Sequence, residues 1–315
     1  MKHFLSLDWG TSRFRLRLVE SETLKIIAAS ESEEGILAIH ARWLQEELTE
    51  EERIAFYLAY IQSHIKKIEK EVVDPINTLP LLISGMASST LGMLELPYKE
   101  IPFAQDGSDL FVKGMKGSAD FPHPVWIISG VRTTLDVIRG EETILAGASL
   151  PEWEEQIVVM PGTHSKHMLI RNGYCRDFAT YMTGEFFDLL WQKSSLANTI
   201  EHNEQLETAN DFFKKGLSES IDTTILRSSF RTRTQTLLKK HTPEENFYYL
   251  GGLLIGEECK QLMPATIPIN LIAGKVLRPL YEMALRYFEI GSGLEVMDAD
   301  ECFVRGQWEV YRNLM

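Results

Sequence analysis

One pattern runs through this chain twice, and that duplication limits its fold more than any other feature. A run of three strands is followed by alternating helices and strands, and then the order repeats. In the first copy the strands read as HFLSLD (3–8), FRLRLV (14–19) and LKIIAAS (24–30). The second of these alternates Phe14, Leu16 and Leu18 with Arg13, Arg15 and Arg17, which gives an apolar and a basic face at period two. From Arg42 to Glu69 the apolar spacing changes to three and four residues, which predicts one long helix ending before Pro75. LPLLISG (79–85) and VWIISG (125–130) read as strands, and GEETILAGASL (140–150) reads as a helix stopped by Pro151.

The second copy opens with QIVVMPG (156–162), SKHMLI (165–170), a turn at Asn172-Gly173, and YCRDFATYM (174–182). A helical region is expected from Gly184 to Met263. It is followed by strand IPINLIAG (267–274), helix 276–290 with Pro279 in its first turn, strand LEVM (294–297) and a closing helix from Asp300. In each copy the first hairpin carries a Gly-Thr turn followed by a basic residue, in DWGTSR (8–13) and PGTHSK (161–166). The two glycines lie nearly half of the 315 residues apart. The expectation is two similar α/β domains, 1–150 and 151–315, joined by a cleft, with the last helix packing back on the first domain.

A Gly-Thr hairpin lets the backbone approach a phosphate and offers N–H donors plus a hydroxyl. A pair of them facing each other would clamp a polyphosphate through Gly10, Thr11, Gly162 and Thr163. Asp8, at the end of a buried strand, suits the hydrated Mg²⁺ that accompanies nucleotide phosphates. An Asp-x-Gly turn without any ligand has the same local sequence. Arg13 is placed either on the nucleotide phosphates or on a solvated strand face. Gly274 would let the backbone lie flat against adenine or ribose, with Lys275 bordering the base, although elsewhere an Ala-Gly turn is a routine helix entry. His164 and His167 are three apart in a strand and make a poor metal pair, so they are read as structural or phosphate-adjacent.

Composition excludes other classes. Lys+Arg 32 against Asp+Glu 45 leaves a net charge of −13, which disfavours nucleic acid or an acidic membrane as partner in the absence of a local basic patch. No stretch approaches the ~18 apolar residues of a membrane span. MKHFLSLDWG has no apolar leader region. Cys175, Cys259 and Cys302 are odd in number and widely separated, which points to a reducing compartment, read as the cytoplasm. Cys175, mid-strand with no histidine nearby in sequence, is not read as a nucleophile. A P-loop motif is missing, and GSGLEV (291–296) lacks the third glycine and acidic partner of a dinucleotide fingerprint.

The segments LSLDWGTSRFRLRLV (5–19), VVMPGTHSKHMLI (158–170) and INLIAGKVLRPLYEMAL (269–285) resemble the two phosphate motifs and the adenosine motif of the sugar kinase, actin and heat-shock chaperone superfamily. ISGMASSTLG, DVIRGEET, VVMPGTHSKH, YMTGEFFDLL and GGLLIGEE more closely resemble the bacterial 2-dehydro-3-deoxygalactonokinase family. The likeness runs from residue 4 to about 290 and is weak over 105–124 and 194–245.

The resemblance implies an α/β fold of duplicated ribonuclease H-like (actin-like ATPase) domains, each a mixed sheet flanked by helices. The first domain would take the sugar acid and the second the nucleotide. It also implies ATP and Mg²⁺ as cofactors, phosphorylation of 2-dehydro-3-deoxy-D-galactonate at its terminal hydroxyl in galactonate catabolism, closure of the domains during turnover, and a homodimer by family habit.

Related kinases place their catalytic acid where Glu141 and Glu142 stand, and either could accept the hydroxyl proton, with Glu141 favoured, although solvated first-turn glutamates favoured by the helix dipole would read the same. Arg139 and then Lys166 are the candidates for the substrate carboxylate. Trp9, Ser84, Gly85 and Met86 fall where the family lines its sugar site, although core packing accounts for Trp9 equally well. A kinase for another sugar acid or amino sugar, or a non-catalytic ATP clamp, would share the fold.

Overall fold

The computed structural model describes residues 2–151, 154–202, 209–263, 266–290 and 293–315. It divides into two units. The first is Met1–Glu154 with Ile170–Asp177 and Ala299–Met315, and the second is Glu155–Leu169 with Phe178–Asp298.

The first unit opens with the meander β1 (His3–Trp9), β2 (Phe14–Glu20) and β3 (Ile26–Ser32). Helices α1 (Ile36–Gln45) and α2 (Glu50–Glu69) follow. The single helix expected over 42–69 is therefore two. The apolar spacing continues through Leu44 and Leu48, but Glu47 takes φ 51° and Thr49 starts a new helix. There the Glu52 carboxylate accepts from Thr49 N at 3.0 Å, half of a capping box, and such local bonds at a helix start outcompete a weak apolar period.

The chain continues through β4 (Leu81–Gly85), β5 (Lys99–Glu100), β6 (Phe103–Ala104), β7 (Val112–Met115), β8 (Val125–Ile128), β9 (Val131–Arg132) and β10 (Val137–Ile138). The main sheet has the order β3-β2-β1-β4-β8-β7, with β1, β4 and β8 parallel, and a small sheet pairs β10-β9-β5. Leu5, Leu7, Phe14, Leu16 and Ile83 of this sheet pack on Tyr57, Ile61 and Ile65 of α2.

Helix α3 (Glu141–Ala146) is shorter than the 140–150 expected. It ends at Gly147, where the closing helix α9 (Ala299–Arg312) comes so near that a Cβ would lie 1.9 Å from Cys302 O. A Cβ on Gly306 would lie 1.8 Å from Thr143 O. Glycine at both positions permits this backbone-on-backbone crossing.

The second unit repeats the meander as β11 (Gln156–Met160), β12 (Ser165–Arg171) and β13 (Tyr174–Tyr181). The tip of the β12–β13 hairpin belongs to the first unit, where Tyr174 and Cys175 pair with Ala104 and Phe103 of β6. The expected helical region resolves into α4 (Thr183–Lys193), α5 (Ala209–Asp222), α6 (Ile225–Leu237) and α7 (Pro243–Cys259), while residues 203–208 within it lie outside the described residues. Glycines again set a close crossing: a Cβ on Gly252 of α7 would meet Phe213 O of α5 at 2.0 Å.

Strand β14 (Ile269–Ala273), helix α8 (Arg278–Tyr287) and strand β15 (Glu295–Asp298) complete this unit, and β11, β14 and β15 are parallel. Gly291 and Ser292 of GSGLEV lie outside the described residues. The three cysteines are buried and form no disulfide among the described residues, and no helix among those residues is long and apolar enough to cross a membrane.

Candidate active site

In the first unit, the ends of β1 and β4 and the start of α3 come together. Asp8 pairs with Ser84 and Trp9 with Gly85 across the parallel ladder, which places both strand ends level. Gly85 (φ 94°) and Gly140 (φ 104°) take backbone conformations that a side chain would strain, and a Cβ on Gly140 would lie 3.7 Å from Gly85 Cα. The start of α3 is thereby seated beside the end of β4.

The two glutamates at that helix start differ sharply. Glu142 is 0% exposed. Its oxygens accept from Gly140 N at 2.8 and 2.9 Å, and Thr143 Oγ1 lies 3.0 Å from both a Glu142 oxygen and Ser84 Oγ. Burial, reinforced by the neighbouring Glu141, pushes the Glu142 carboxyl up to about 7. Glu141 is half-buried and accepts from Arg139 N at 3.0 Å. From α9, Gln307 places its Nε2 within 3.2 Å of Leu7 O, Leu82 O and Ser84 Oγ, tying the same strand ends.

Arg139 is held against the turn that follows β4. Its Nη1 donates to Ser88 O and Oγ at 2.7 Å, its Nε donates to Tyr98 OH at 3.0 Å, and its guanidinium lies 4.0 Å over the Tyr98 ring. Its Nη2 donates to none of the described residues, which leaves that one nitrogen of the guanidinium for a further acceptor. Met86 is half-buried on the same turn.

Asp8 belongs to an ion cluster. Arg15 Nη2 lies 2.5 Å from Asp8 Oδ2, Arg15 Nη1 lies 3.3 Å from Asp300 Oδ1, and the buried Arg17 also pairs with Asp300. Burial pushes the Asp8 carboxyl above its ordinary value, while Arg15 and Arg17 pull it down. The side chain keeps 14% exposure, and its Oδ1 accepts from none of the described residues. Among those residues no group of three His, Cys, Asp or Glu could hold a metal ion. Mg²⁺ keeps most of its waters and takes one or two carboxylates plus phosphate oxygens, so a single open carboxylate oxygen at Asp8 fits it.

Gly10 closes the β1–β2 turn with its N–H on Arg13 O at 2.8 Å, and Thr11 is exposed. Arg13 is exposed and pairs with Glu33 at 3.5 Å. Trp9, expected on the sugar site, is 0% exposed and packs on Phe14, Tyr57 and Tyr60 with ring centroids 5.0 to 5.6 Å away. Its indole has no open surface, so the packing alternative describes it here.

In the second unit the Gly162-Thr163 turn joins β11 to β12. Thr163 and His164 are exposed, and the start of α4 abuts the turn: Glu185 N donates to Thr163 O at 3.0 Å, and a Cβ on Gly184 would lie 2.6 Å from Gly162 O. His164 Nε2 meets Glu185 Oε2 at 2.5 Å. Lys166 is 4% exposed and donates to His164 O at 2.6 Å, so its ammonium braces the turn from inside. Gly274 follows β14 with open space where a Cβ would stand, and Lys275 is exposed.

Thus Asp8, Ser84, Gly85, Met86, Arg139, Glu141 and Glu142 gather in the first unit, whereas Gly162, Thr163, Lys166, Gly274 and Lys275 belong to the second. The sequence reading missed Tyr98, Arg15 and Asp300. The basic face of β2 was the available signal for the last two, since buried arginines require acidic partners.

A family model for 2-keto-3-deoxy-galactonokinase matches residues 8–310. A 2-dehydro-3-deoxygalactonokinase of Escherichia coli is 28% identical over 96% of this chain and 95% of its own length, and a protein of Rhizobium meliloti assigned the same activity is 27% identical over the same shares. A solved Sinorhizobium meliloti protein assigned to these kinases superposes with a TM-score of 0.79 at 26% identity, covering 98% of this chain and 96% of its own. The activator of 2-hydroxyisocaproyl-CoA dehydratase from Clostridium difficile, with a TM-score of 0.50 at 10% identity over 98% and 92%, shares the fold alone. With the match spanning nearly the whole chain, this protein belongs to the 2-keto-3-deoxy-galactonokinase family.

Proposed function

We propose that the chain transfers the γ-phosphoryl group of ATP to the terminal hydroxyl of 2-dehydro-3-deoxy-D-galactonate, giving the 6-phosphate and ADP, in the cytoplasm. The observation that carries this reading is the half-buried Glu141 carboxylate, which accepts from the backbone N–H of Arg139 and so stands two residues from that guanidinium at the start of α3, within a chain matched by the kinase family over residues 8–310. One group can take a proton and the other can hold an anionic substrate.

Glu141 is the base in this reading, because its carboxylate is half-buried whereas that of Glu142 is enclosed and committed to Gly140 N. As the hydroxyl oxygen bonds to the γ-phosphorus, its proton passes to Glu141 and the bond to the ADP oxygen breaks. Arg139 offers Nη2 to the substrate carboxylate, and the Ser84–Met86 turn shapes the space beside it. Mg²⁺, held through Asp8 Oδ1, would supply charge neutralisation of the phosphates. Thr11 and Thr163 would offer donors to those phosphates, Gly10 and Gly162 would let the backbone come close to them, and Gly274 and Lys275 would border the nucleoside.

A coupled ADP-release assay with Mg²⁺ tests this over 2-keto-3-deoxy sugar acids, aldonic acids and free sugars. Turnover of the galactonate compound is expected to exceed the others. Equal turnover of the gluconate epimer would remove the specific substrate. Turnover of none would favour an ATP-dependent regulator instead.

A further inference from the structure

The second unit buries a carboxylate that the reaction above leaves unused. Glu258, near the end of α7, is 2% exposed. Its Oε2 accepts from Tyr281 OH at 2.6 Å and also from Thr183 Oγ1, while its Oε1 faces His167 Nε2 at 3.0 Å. A carboxyl group is costly to bury unless hydrogen bonds replace its water, and here three side chains supply them.

Two of these bonds lead toward the Gly162-Thr163 turn. Tyr281, 1% exposed, has its hydroxyl 2.9 Å from Ser165 Oγ, and Ser165 Oγ lies 3.4 Å from Gly162 N. The donors can therefore run in one direction, from Gly162 N–H to Ser165, from Ser165 to Tyr281 and from Tyr281 to Glu258. Such a series polarises each successive bond. On the other side, Thr183 begins α4, whose Gly184 and Glu185 abut Gly162 and Thr163. One carboxylate thus grips the inner ends of both segments that shape the turn, and Thr163 stays exposed on its outer side.

We propose that Glu258 and Tyr281 are positioning residues for the nucleotide, setting the Gly162-Thr163 turn for phosphate from a second layer that does not itself touch the ligand. This rests on the reading of that turn as a phosphate site. If the cluster only stabilised the core, its loss would lower the melting temperature without selectively weakening nucleotide binding.

The test uses Tyr281→Phe, Ser165→Ala, their double variant and Glu258→Gln, with Mg·ADP binding by titration calorimetry and steady-state KM values for ATP and the sugar acid. Each single loss of a hydroxyl is expected to weaken Mg·ADP and raise KM for ATP about tenfold, the worth of one good hydrogen bond, with KM for the sugar acid unchanged. The double variant should match either single one, because both break the same series. Glu258→Gln, which keeps an acceptor for Tyr281, should lie nearer the wild type than either.

Affinity for Mg·ADP within twofold of wild type in both single variants would overturn the proposal, as would KM values for ATP and sugar acid rising together. If the wild type binds Mg·ADP but phosphorylates no sugar acid, the substrate reading fails, and the calorimetry still decides this one. A wild type that binds no Mg·ADP would defeat both.

Discussion

Glu142→Gln separates the enclosed glutamate from its half-buried neighbour by a measurement of stability. The Glu142 carboxyl titrates at about 7 in the fold, against 4.5 for an unburied glutamate. Between those values the unfolded chain has released its proton and the folded chain has kept it. Folding stability from this group is therefore complete below pH 4.5 and is lost as pH rises through about 7. At ~1.4 kcal/mol per pH unit the loss comes to roughly 3 kcal/mol. Gln does not titrate; its carbonyl can still accept from Gly140 N and its amide can donate to Thr143 Oγ1, so the geometry survives.

Urea unfolding of wild type and variant, at steps from pH 4.5 to 8, should show the variant gaining roughly 3 kcal/mol relative to wild type over that span, with unchanged m-values. The difference between the two proteins cancels every other titrating group. A difference that stays flat with pH would refute the reasoning, since it would mean that Glu142 is not held neutral by burial.

Glu141→Gln should lower kcat by at least on the order of 10² with the unfolding curve unchanged, and a near-normal rate would move the base to Glu142 or Asp8. Arg139→Lys should raise KM for the sugar acid about tenfold and leave KM for ATP alone, because an ammonium cannot bond Ser88, Tyr98 and a carboxylate together; equal KM values would take the substrate carboxylate elsewhere. Gly306→Ala should cost about 3 kcal/mol in thermal or denaturant unfolding, as its Cβ would stand 1.8 Å from Thr143 O, and an unchanged melting temperature would show that α3 and α9 separate freely.

Local alternation made β1, β2 and β3 legible, because each strand needed only its own residues to declare a face. The boundary between α1 and α2 was not legible in the same way: Leu44 and Leu48 keep the helical period, and the interruption depends on a positive φ at Glu47 and on the cap at Thr49. Likewise GEETILAGASL offers two stops, Gly147 and the later Pro151, and the helix takes the earlier one, where the backbone of α9 passes close. At the site, the Gly-Thr turns and the Arg-Gly-Glu-Glu run could be found by pattern. Trp9 could not be assigned, because a strand-end tryptophan reads the same whether it faces a ligand or Phe14 and Tyr57.

By itself the sequence determined the duplicated α/β plan, the family, and the short segments that carry the chemistry, all of which follow from local period and motif. Only the tertiary structure decided which of two adjacent glutamates is enclosed, that Asp8 shares Arg15 with Asp300 across 285 residues, and that Glu258 reaches Ser165 through Tyr281. The physical reason is common to these cases. Burial and hydrogen-bond partnership are properties of a side chain's surroundings, and distant parts of the chain supply those surroundings.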